Sequence, residues 1–179
     1  MRIVRGAHAG RHLTSPGVGI RPTAEAVRDS WLGALEPELA GAVVVDLFAG
    51  SGALGLEALS RGAARADFVE NGAGSLHSLK ANVAALRVRK RVRVFKKDAI
   101  PFVEALEPGA YDVAFADPPY GSGKLDRVVR HWLSVPFCRI LSVEHARDHA
   151  VPRGGERLDF GDTLVTIFRL RVRANRPQR

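Results

Sequence analysis

Hydrophobic residues follow two alternating periods along most of the chain. Short runs rich in β-branched and aromatic residues predict strands, and stretches with apolar residues at helical spacing separate the first five of them. The predicted strands cover residues 43–45, 66–70, 92–95, 111–116, 140–143, 157–160 and 163–170. Strands that alternate with helices and end in a hairpin are typical of a doubly wound α/β fold. We therefore expect a Rossmann-like, mostly parallel sheet with an antiparallel edge strand.

The helical stretches also predict caps and buried positions. Thr23 is expected to cap a helix that runs to Leu35 and carries Trp31 in the core. Asn71 is expected to cap a later helix. Leu133 is expected on the apolar face of the helix after Gly121.

The first 22 residues have a different pattern. Their short apolar pieces around Ile3 and Leu13 are separated by glycines and predict a small β-hairpin and loop outside the main core. This arm carries four arginines that can contact phosphates: Arg2, Arg5, Arg11 and Arg21. For each arginine, a position on a solvent-exposed flap without a phosphate contact is an equally good interpretation. The expected organisation is a hairpin arm at 1–22, a catalytic domain at 23–170 and a basic tail at 171–179.

A glycine-rich turn follows the first strand and begins the next helix. Gly50, Gly52 and Gly55 have the spacing GxGxxG, which places backbone N–H groups of a helix N-terminus where a ligand can approach. Glu70 ends the next strand, where a carboxylate can bind ribose hydroxyls. NAD enzymes, S-adenosylmethionine (SAM) enzymes and plain structural turns all use such a motif. Asp46 favours SAM, because a carboxylate repels a pyrophosphate and attracts the cationic amino group of a methionine moiety.

A second motif, Asp117-Pro118-Pro119-Tyr120, follows the fourth strand. Its prolines have no N–H, so the loop presents acceptors, and the Asp117 carboxylate and the Pro118 carbonyl can hold both hydrogens of a planar amine. Tyr120 can stack on a nucleobase. This arrangement predicts methyl transfer by direct displacement, which needs alignment more than a strong base. Simple chain reversal is the structural alternative, and Asp98 likewise either binds a ligand or caps the following helix.

The charge balance points to an acidic partner. The chain has 27 Lys and Arg against 19 Asp and Glu, a formal net charge of +8 and a pI near 10.5. A surplus of this size favours nucleic acid, although some proteins are simply basic. Two clusters strengthen the nucleic-acid interpretation, one at residues 87–97 and one at residues 169–179.

Other function classes receive little support from the composition. Cys138 is the single cysteine, so an internal disulfide is excluded, a structural zinc site is disfavoured, and a buried core thiol is expected. The six histidines form no metal-like set, and His145 and His149 are expected in a solvated loop. The chain has no apolar run of about 18 residues and no basic-then-apolar leader. We therefore expect one cytoplasmic globular domain without a metal or a membrane span.

The motifs together resemble one family. The chain is similar to the bacterial RsmD-type 16S ribosomal RNA guanine-N2 methyltransferases, within the class I SAM-dependent methyltransferases. The matching pieces span nearly everything before Leu170: residues 10–13, 21–23, 46–52, 55–58, 60–63, 69–71, 98, 117–120, 143–145 and 161–163.

The resemblance implies a set of roles. SAM would be held at its methionine end by the glycine turn, at its ribose by Glu70 and near its adenine amine by Asp98. The implied cofactor-binding residues are Asp46, Phe48, Ala49, Gly50, Ser51, Gly52, Glu70, Asn71, Asp98, Ala99 and Asp117. The implied catalytic residues are Asp117, Pro118 and Tyr120. The implied contacts to substrate RNA are Arg2, Arg5, Arg11, Arg21, Pro119 and Tyr120.

Two alternatives remain at this stage. DNA adenine-N6 methylation suits the same loop, but little chain is left for a DNA-recognition domain. A non-catalytic RNA-binding or ribosome-assembly module is the other, and failure to bind SAM would favour it. The expected partner is 16S ribosomal RNA, within an assembling small-subunit particle, bound by a monomer.

Overall fold

Seven strands form one sheet in the part of the chain that the computed structural model describes, residues 1–15 and 24–170. The strands are β1 (Val43–Asp46), β2 (Arg65–Glu70), β3 (Val92–Lys96), β4 (Tyr111–Ala116), β5 (Cys138–Ala146), β6 (Glu156–Phe160) and β7 (Thr163–Arg169). Their order across the sheet is β3-β2-β1-β4-β5-β7-β6. The first five are parallel, whereas β7 pairs antiparallel with both β5 and β6. The predicted fold class is confirmed.

In the described part of the chain, six α-helices cover the two faces of the sheet. They are α1 (Glu25–Gly33), α2 (Glu36–Leu39), α3 (Ala53–Ser60), α4 (Ala73–Ala85), α5 (Ala99–Glu104) and α6 (Lys124–Ser134). Val44 belongs to the core that includes α1, α3 and α4, and the next residue, Val45, to the core that includes α5 and α6. This alternation explains why β1 is a continuous β-branched run, since a strand buried on both faces has no polar side.

The N-terminal hairpin is part of the first core, so its predicted position outside the core is wrong. An antiparallel bridge between Arg2 and His12 closes the hairpin, and Ile3 and Leu13 are buried among the side chains of α1, α3 and α4. Gly6 has φ +83°, and a Cβ there would lie 1.9 Å from the Ser60 carbonyl oxygen. The hairpin therefore packs directly on the end of α3.

Several local predictions differ from the structure. Helix α1 begins at Glu25 with Ala24 at its N-cap, and Thr23, the predicted cap, lies outside the described residues. Helix α4 is capped by Gly72, so the prediction for Asn71 is wrong. Leu133 is 60% exposed, because it lies off the face that packs on the sheet. The short helix α2 was not predicted.

Strand β5 is longer than predicted. Strand β7 pairs with it from Ile140 to Ala146, which keeps Glu144 and His145 within the sheet. His145 is buried, and its Nε2 lies 2.8 Å from Thr166 Oγ1. The expectation of a solvated loop is therefore wrong for His145. Trp31 and Cys138 are buried as predicted. Among the described residues, no helix is both long and apolar enough to cross a membrane.

Candidate active site

A cleft of about 800 Å³ opens at the carboxyl ends of the first four strands. The chain adds β2 and β3 on one side of β1, and β4 and β5 on the other. Ligands of open α/β sheets bind where the order of strands reverses in this way. Four turns line the cleft, at residues 46–51, 69–72, 97–99 and 117–120. The glycine turn and the Asp117 loop therefore border the same cavity.

The three glycines of the turn have different roles. Gly50, with φ +53°, lines the cleft and presents bare backbone to it. Gly52, with φ +84°, does not line the cleft, and a Cβ there would lie 2.4 Å from Leu79 Cδ1. A Cβ on Gly55 would lie 2.4 Å from the Phe68 ring. Gly52 and Gly55 are thus needed for packing of the turn and α3 on the sheet, and Gly50 faces the ligand position.

Glu70 holds the glycine turn in place. Its Oε2 accepts the Gly50 N–H at 2.8 Å, and its Oε1 accepts the N–H groups of Asn71 and Gly72 at 2.8 and 2.7 Å. A carboxylate oxygen can accept two hydrogen bonds. Oε2 therefore retains capacity for a hydroxyl donor in the cleft.

Asp46 forms the floor of the cleft. The side chain is 1% exposed, its Oδ2 accepts the Gly55 N–H at 3.2 Å, and its Oδ1 has no hydrogen-bond partner among the described residues. Burial, with a smaller contribution from the nearby Glu70 charge, raises the pKa of Asp46 to about 7. A cationic group in the cleft would satisfy the orphaned oxygen and favour the ionised form.

Asp98 caps α5, as one of its two predicted roles, and also lines the cleft. Its Oδ1 caps α5 by accepting the Ile100 N–H at 2.9 Å, and its Oδ2 lies 2.9 Å from Lys124 Nζ at the cleft. Lys124 Nζ also lies 6.0 Å from the centre of the Phe48 ring. The Ile100 N–H and the Lys124 ammonium lower the pKa of Asp98. Lys124 was not predicted, because its pairing with Asp98 depends on the distance between two turns that are remote in sequence.

The Asp117 loop places its polar groups at the mouth of the cleft. Pro118 is buried, whereas Tyr120 is 54% exposed. The Pro119 carbonyl accepts the Ser122 hydroxyl at 2.6 Å, whereas the Pro118 carbonyl accepts no hydrogen bond from the described residues. Tyr120 Oη lies 2.9 Å from Thr163 Oγ1 and 3.3 Å from Glu144 Oε1. Strands β5 and β7 thereby hold the tyrosine ring beside the loop.

Three of the four arginines predicted to contact RNA, Arg2, Arg5 and Arg11, are exposed on the hairpin. Arg2 pairs with Glu25 at 3.0 Å and Arg5 with Asp29 at 2.6 Å, and both side chains remain about 60% exposed. Arg11 donates to the Ala85 carbonyl at 3.0 Å. Arg21 lies outside the described residues.

Two polar groups that dock the hairpin were also missed. Buried Glu57 accepts the N–H groups of Val4 and Arg5 at 2.8 and 2.9 Å. Asn82 donates to the carbonyls of Thr14 and Ser51, both at 2.9 Å. A glutamate inside the apolar stretch 54–59, four residues before Arg61, was the available signal for the first. Asn82 had no comparable signal.

Comparisons with known proteins show the family to which the chain belongs. A family model described as "Conserved hypothetical protein 95" matches residues 1–159. The "Putative rRNA methyltransferase YlbH" of Bacillus subtilis is 37% identical over 173 residues, 93% of this chain and 91% of the relative. The "Ribosomal RNA small subunit methyltransferase D" of Escherichia coli is 38% identical over 130 residues, 72% of this chain and 65% of the relative. The solved structure of the "Putative methyltransferase yhhF" of Escherichia coli has a TM-score of 0.82 at 31% identity, covering 94% of this chain and 97% of that one. The chain therefore belongs to this family, the RsmD-type methyltransferases.

Proposed function

We propose that the protein transfers the methyl group of SAM to the exocyclic N2 amine of a guanine in 16S ribosomal RNA. One observation carries the proposal: the glycine turn with the orphaned Asp46 Oδ1 and the acceptor-only Asp117 loop line one cleft. The first half suits a cationic amino acid moiety, and the second half suits a planar amine. Membership of a family of ribosomal RNA methyltransferases supports the substrate class.

The cofactor half follows the order of the turns. Asp46 would bind the ammonium of the methionine moiety, Glu70 the ribose hydroxyls and Asp98 the adenine amine, with Gly50 as the bare backbone between them. A methyltransferase of this fold binds the same cofactor. When bound, SAM supplies an electrophilic methyl group on a positively charged sulfur, whose charge is lost on transfer.

The substrate half supplies alignment. The Asp117 carboxylate and the Pro118 carbonyl accept hydrogen bonds from the two N–H groups of the amine. The nitrogen lone pair is then directed away from these two acceptors and toward the methyl position. Tyr120 and Pro119 give the base an exposed surface on which to stack. Transfer would form the N–C bond as the S–C bond breaks, and the Asp117 carboxylate would accept the proton that the amine gives up. Most of the rate comes from positioning.

The hairpin gives the RNA a second contact. Arg2 and Arg5 are exposed enough to contact phosphates without leaving their carboxylate partners, and Arg11 and Arg21 would extend this basic surface. A monomer of this size would reach its guanine in an assembling small-subunit particle, where the base is still accessible.

Replacement of Asp117 tests the chemistry. Small subunits from cells lacking the protein, incubated with labelled SAM and the wild-type protein, should yield N2-methylguanosine on nucleoside analysis. Asp117→Ala should reduce that yield at least 100-fold, because the amine loses its main acceptor. The affinity for SAM, measured by titration calorimetry, should stay within threefold of wild type. Wild-type product in the form of N6-methyladenosine, or full activity of the variant, would contradict the proposal.

A further inference from the structure

Glu144 has no assigned role, although it lines the active-site cleft. Strand β5 pairs in parallel with β4 so that Val143 lies opposite Ala116. The next residues of the two strands, Glu144 and Asp117, are therefore at the same level of the sheet. Glu144 is 9% exposed and lines the cleft together with Asp117, Pro118 and Tyr120. The carboxyl edge of the sheet thus brings two carboxylates to the substrate end of the cavity.

Tyr120 relates the two carboxylates to the position of the base. Its hydroxyl lies 3.3 Å from Glu144 Oε1, and its ring is half exposed beside the Asp117 loop. Burial raises the pKa of the Tyr120 phenol, and the charges of Glu144 and Asp117 contribute in the same direction. A base stacked on this ring with its amine at Asp117 therefore has a second carboxylate near the adjoining part of its edge.

Nucleobase chemistry gives this second carboxylate a specific partner. In guanine the exocyclic N2 amine is flanked by the ring N1–H, which is a donor. In adenine and cytosine the ring nitrogen beside the amine carries a lone pair, which a carboxylate repels, and uracil has no exocyclic amine. An amine beside a ring N–H is thus found in guanine alone among the four bases, and a carboxylate is an acceptor when ionised.

We infer that Glu144 accepts the N1–H of the target guanine and so determines that guanine, rather than adenine or cytosine, is the methyl acceptor. This inference rests on the proposed function. Asp117 would hold the reacting amine, and Glu144 would recognise the neighbouring ring nitrogen. A site that hydrogen-bonds a specific group rejects an analogue lacking it strongly, because the buried polar group is then left without its partner.

A role that is limited to anchoring Tyr120 makes a different prediction. If Glu144 only anchors Tyr120, then Tyr120→Phe removes the same hydrogen bond, and adding Glu144→Gln to it has no further effect. If Glu144 contacts the base, the effects of the two changes on kcat/KM multiply. Glu156→Gln on β6, an exposed glutamate paired with Arg169, is the matched control.

The experiment measures methyl transfer from labelled SAM to small subunits from cells lacking the protein. Glu144→Gln should lower kcat/KM at least 30-fold with the affinity for SAM unchanged, and Glu156→Gln should behave as wild type. The double variant with Tyr120→Phe should show the product of the two single effects. A double variant no slower than the slower single variant would overturn the inference, as would Glu144→Gln with wild-type kinetics.

A base analogue separates recognition from general loss of activity. The target guanine is first mapped with the wild-type protein and then replaced by 2-aminopurine in 16S ribosomal RNA. This analogue keeps the exocyclic amine, but its N1 carries a lone pair in place of the N–H. Wild type should prefer guanine at least 100-fold, and Glu144→Gln should reduce this preference at least tenfold, because an amide can donate to that lone pair. An unchanged preference overturns the inference while the proposed function stands. No transfer to any guanine by the wild-type protein would instead remove the proposed function itself.

Discussion

Glu57 and Asp46 are buried carboxylates in neighbouring elements, and they differ in how many of their hydrogen-bond and ion-pair partners the fold supplies. Glu57 in α3 has two arginines, with Arg28 Nε at 3.5 Å and Arg61 Nε at 3.1 Å, and it also accepts two hairpin N–H groups. Asp46 at the end of β1 accepts one N–H at 3.2 Å and keeps one oxygen without a partner among the described residues. A buried charge is tolerated when it is paired and is costly when it is not. The first carboxylate holds the hairpin and two helices together, whereas the second has an oxygen that no described residue satisfies.

The largest loss of stability is expected on replacement of Glu57, whose carboxylate is paired with two arginines. Glu57→Gln removes the buried carboxylate that Arg28 and Arg61 share and weakens the docking of the hairpin, although Arg61 keeps its ion pairs with Asp29 and Glu36. The free energy of unfolding should fall by about 3–5 kcal/mol, the range for removing one partner of a buried ion pair. Urea unfolding measures this. Glu104→Gln breaks an exposed pair with Arg127 and should cost less than about 1 kcal/mol. Equal losses of stability in the two variants would show that the buried pairing of Glu57 contributes no more than an exposed ion pair.

Replacement of the Asp46 carboxylate is expected to raise the free energy of unfolding, whereas replacement of the Glu57 carboxylate lowers it. The folded pKa of Asp46, about 7, lies above the ordinary value of 3.8, so ionisation opposes folding, and its contribution to stability falls as the pH rises from about 4 to 7. Asp46→Asn removes this cost. Without cofactor the variant should be more stable than wild type by about 2–4 kcal/mol at pH 8, at roughly 1.4 kcal/mol per pKa unit, and no more stable at pH 4.

Urea unfolding at the two pH values measures the effect, and titration calorimetry at pH 8 measures the consequence for SAM. The affinity of Asp46→Asn for SAM should fall at least tenfold, because the ammonium loses its countercharge. A variant less stable than wild type at pH 8 would show that the fold needs the charge, as it does at Glu57.

The same contrast explains what could be predicted from the sequence. The segment from Val43 to Gly62 was predicted closely, because a strand, a turn and a helix in succession are determined by local residues. The role of Glu70 in holding the turn, the burial of Glu144 within β5 and the docking of Ile3 in the core depend on partners remote in sequence. Local patterns place a side chain at a sheet edge, but only the strand order determines which side chains meet there.

Asn82 connects the two regions and tests whether they are coupled. Its Oδ1 accepts the N–H of Thr14 in the hairpin, and its Nδ2 donates to the carbonyls of Thr14 and of Ser51 in the glycine turn. Asn82→Ala removes the partner of the carbonyl of buried Ser51 and two hydrogen bonds to the exposed Thr14, and it should cost about 2 kcal/mol. The affinity for SAM should also fall several-fold, because the turn loses a support. Lys80→Ala, an exposed change on the same helix, should leave both quantities near wild type. Loss of stability without loss of affinity would show that the regions are independent.

The smallest effect on stability is expected at the part of the cleft lined by Asp98 and Lys124, where charges are partly exposed. Lys124 and Asp98 are 33% and 39% exposed, so their ion pair contributes less than about 1 kcal/mol. Asp98→Asn removes the ion pair with Lys124 and the Asp98 carboxylate, but it keeps an oxygen that can accept the Ile100 N–H. Lys124→Met removes the same ion pair and leaves the Asp98 carboxylate in place. Both variants should unfold within about 1 kcal/mol of wild type. If Asp98 binds the adenine amine, Asp98→Asn should weaken SAM binding about tenfold, and Lys124→Met should stay within threefold of wild type. Equal weakening in both would instead mean that Asp98 acts by holding Lys124 over the Phe48 ring.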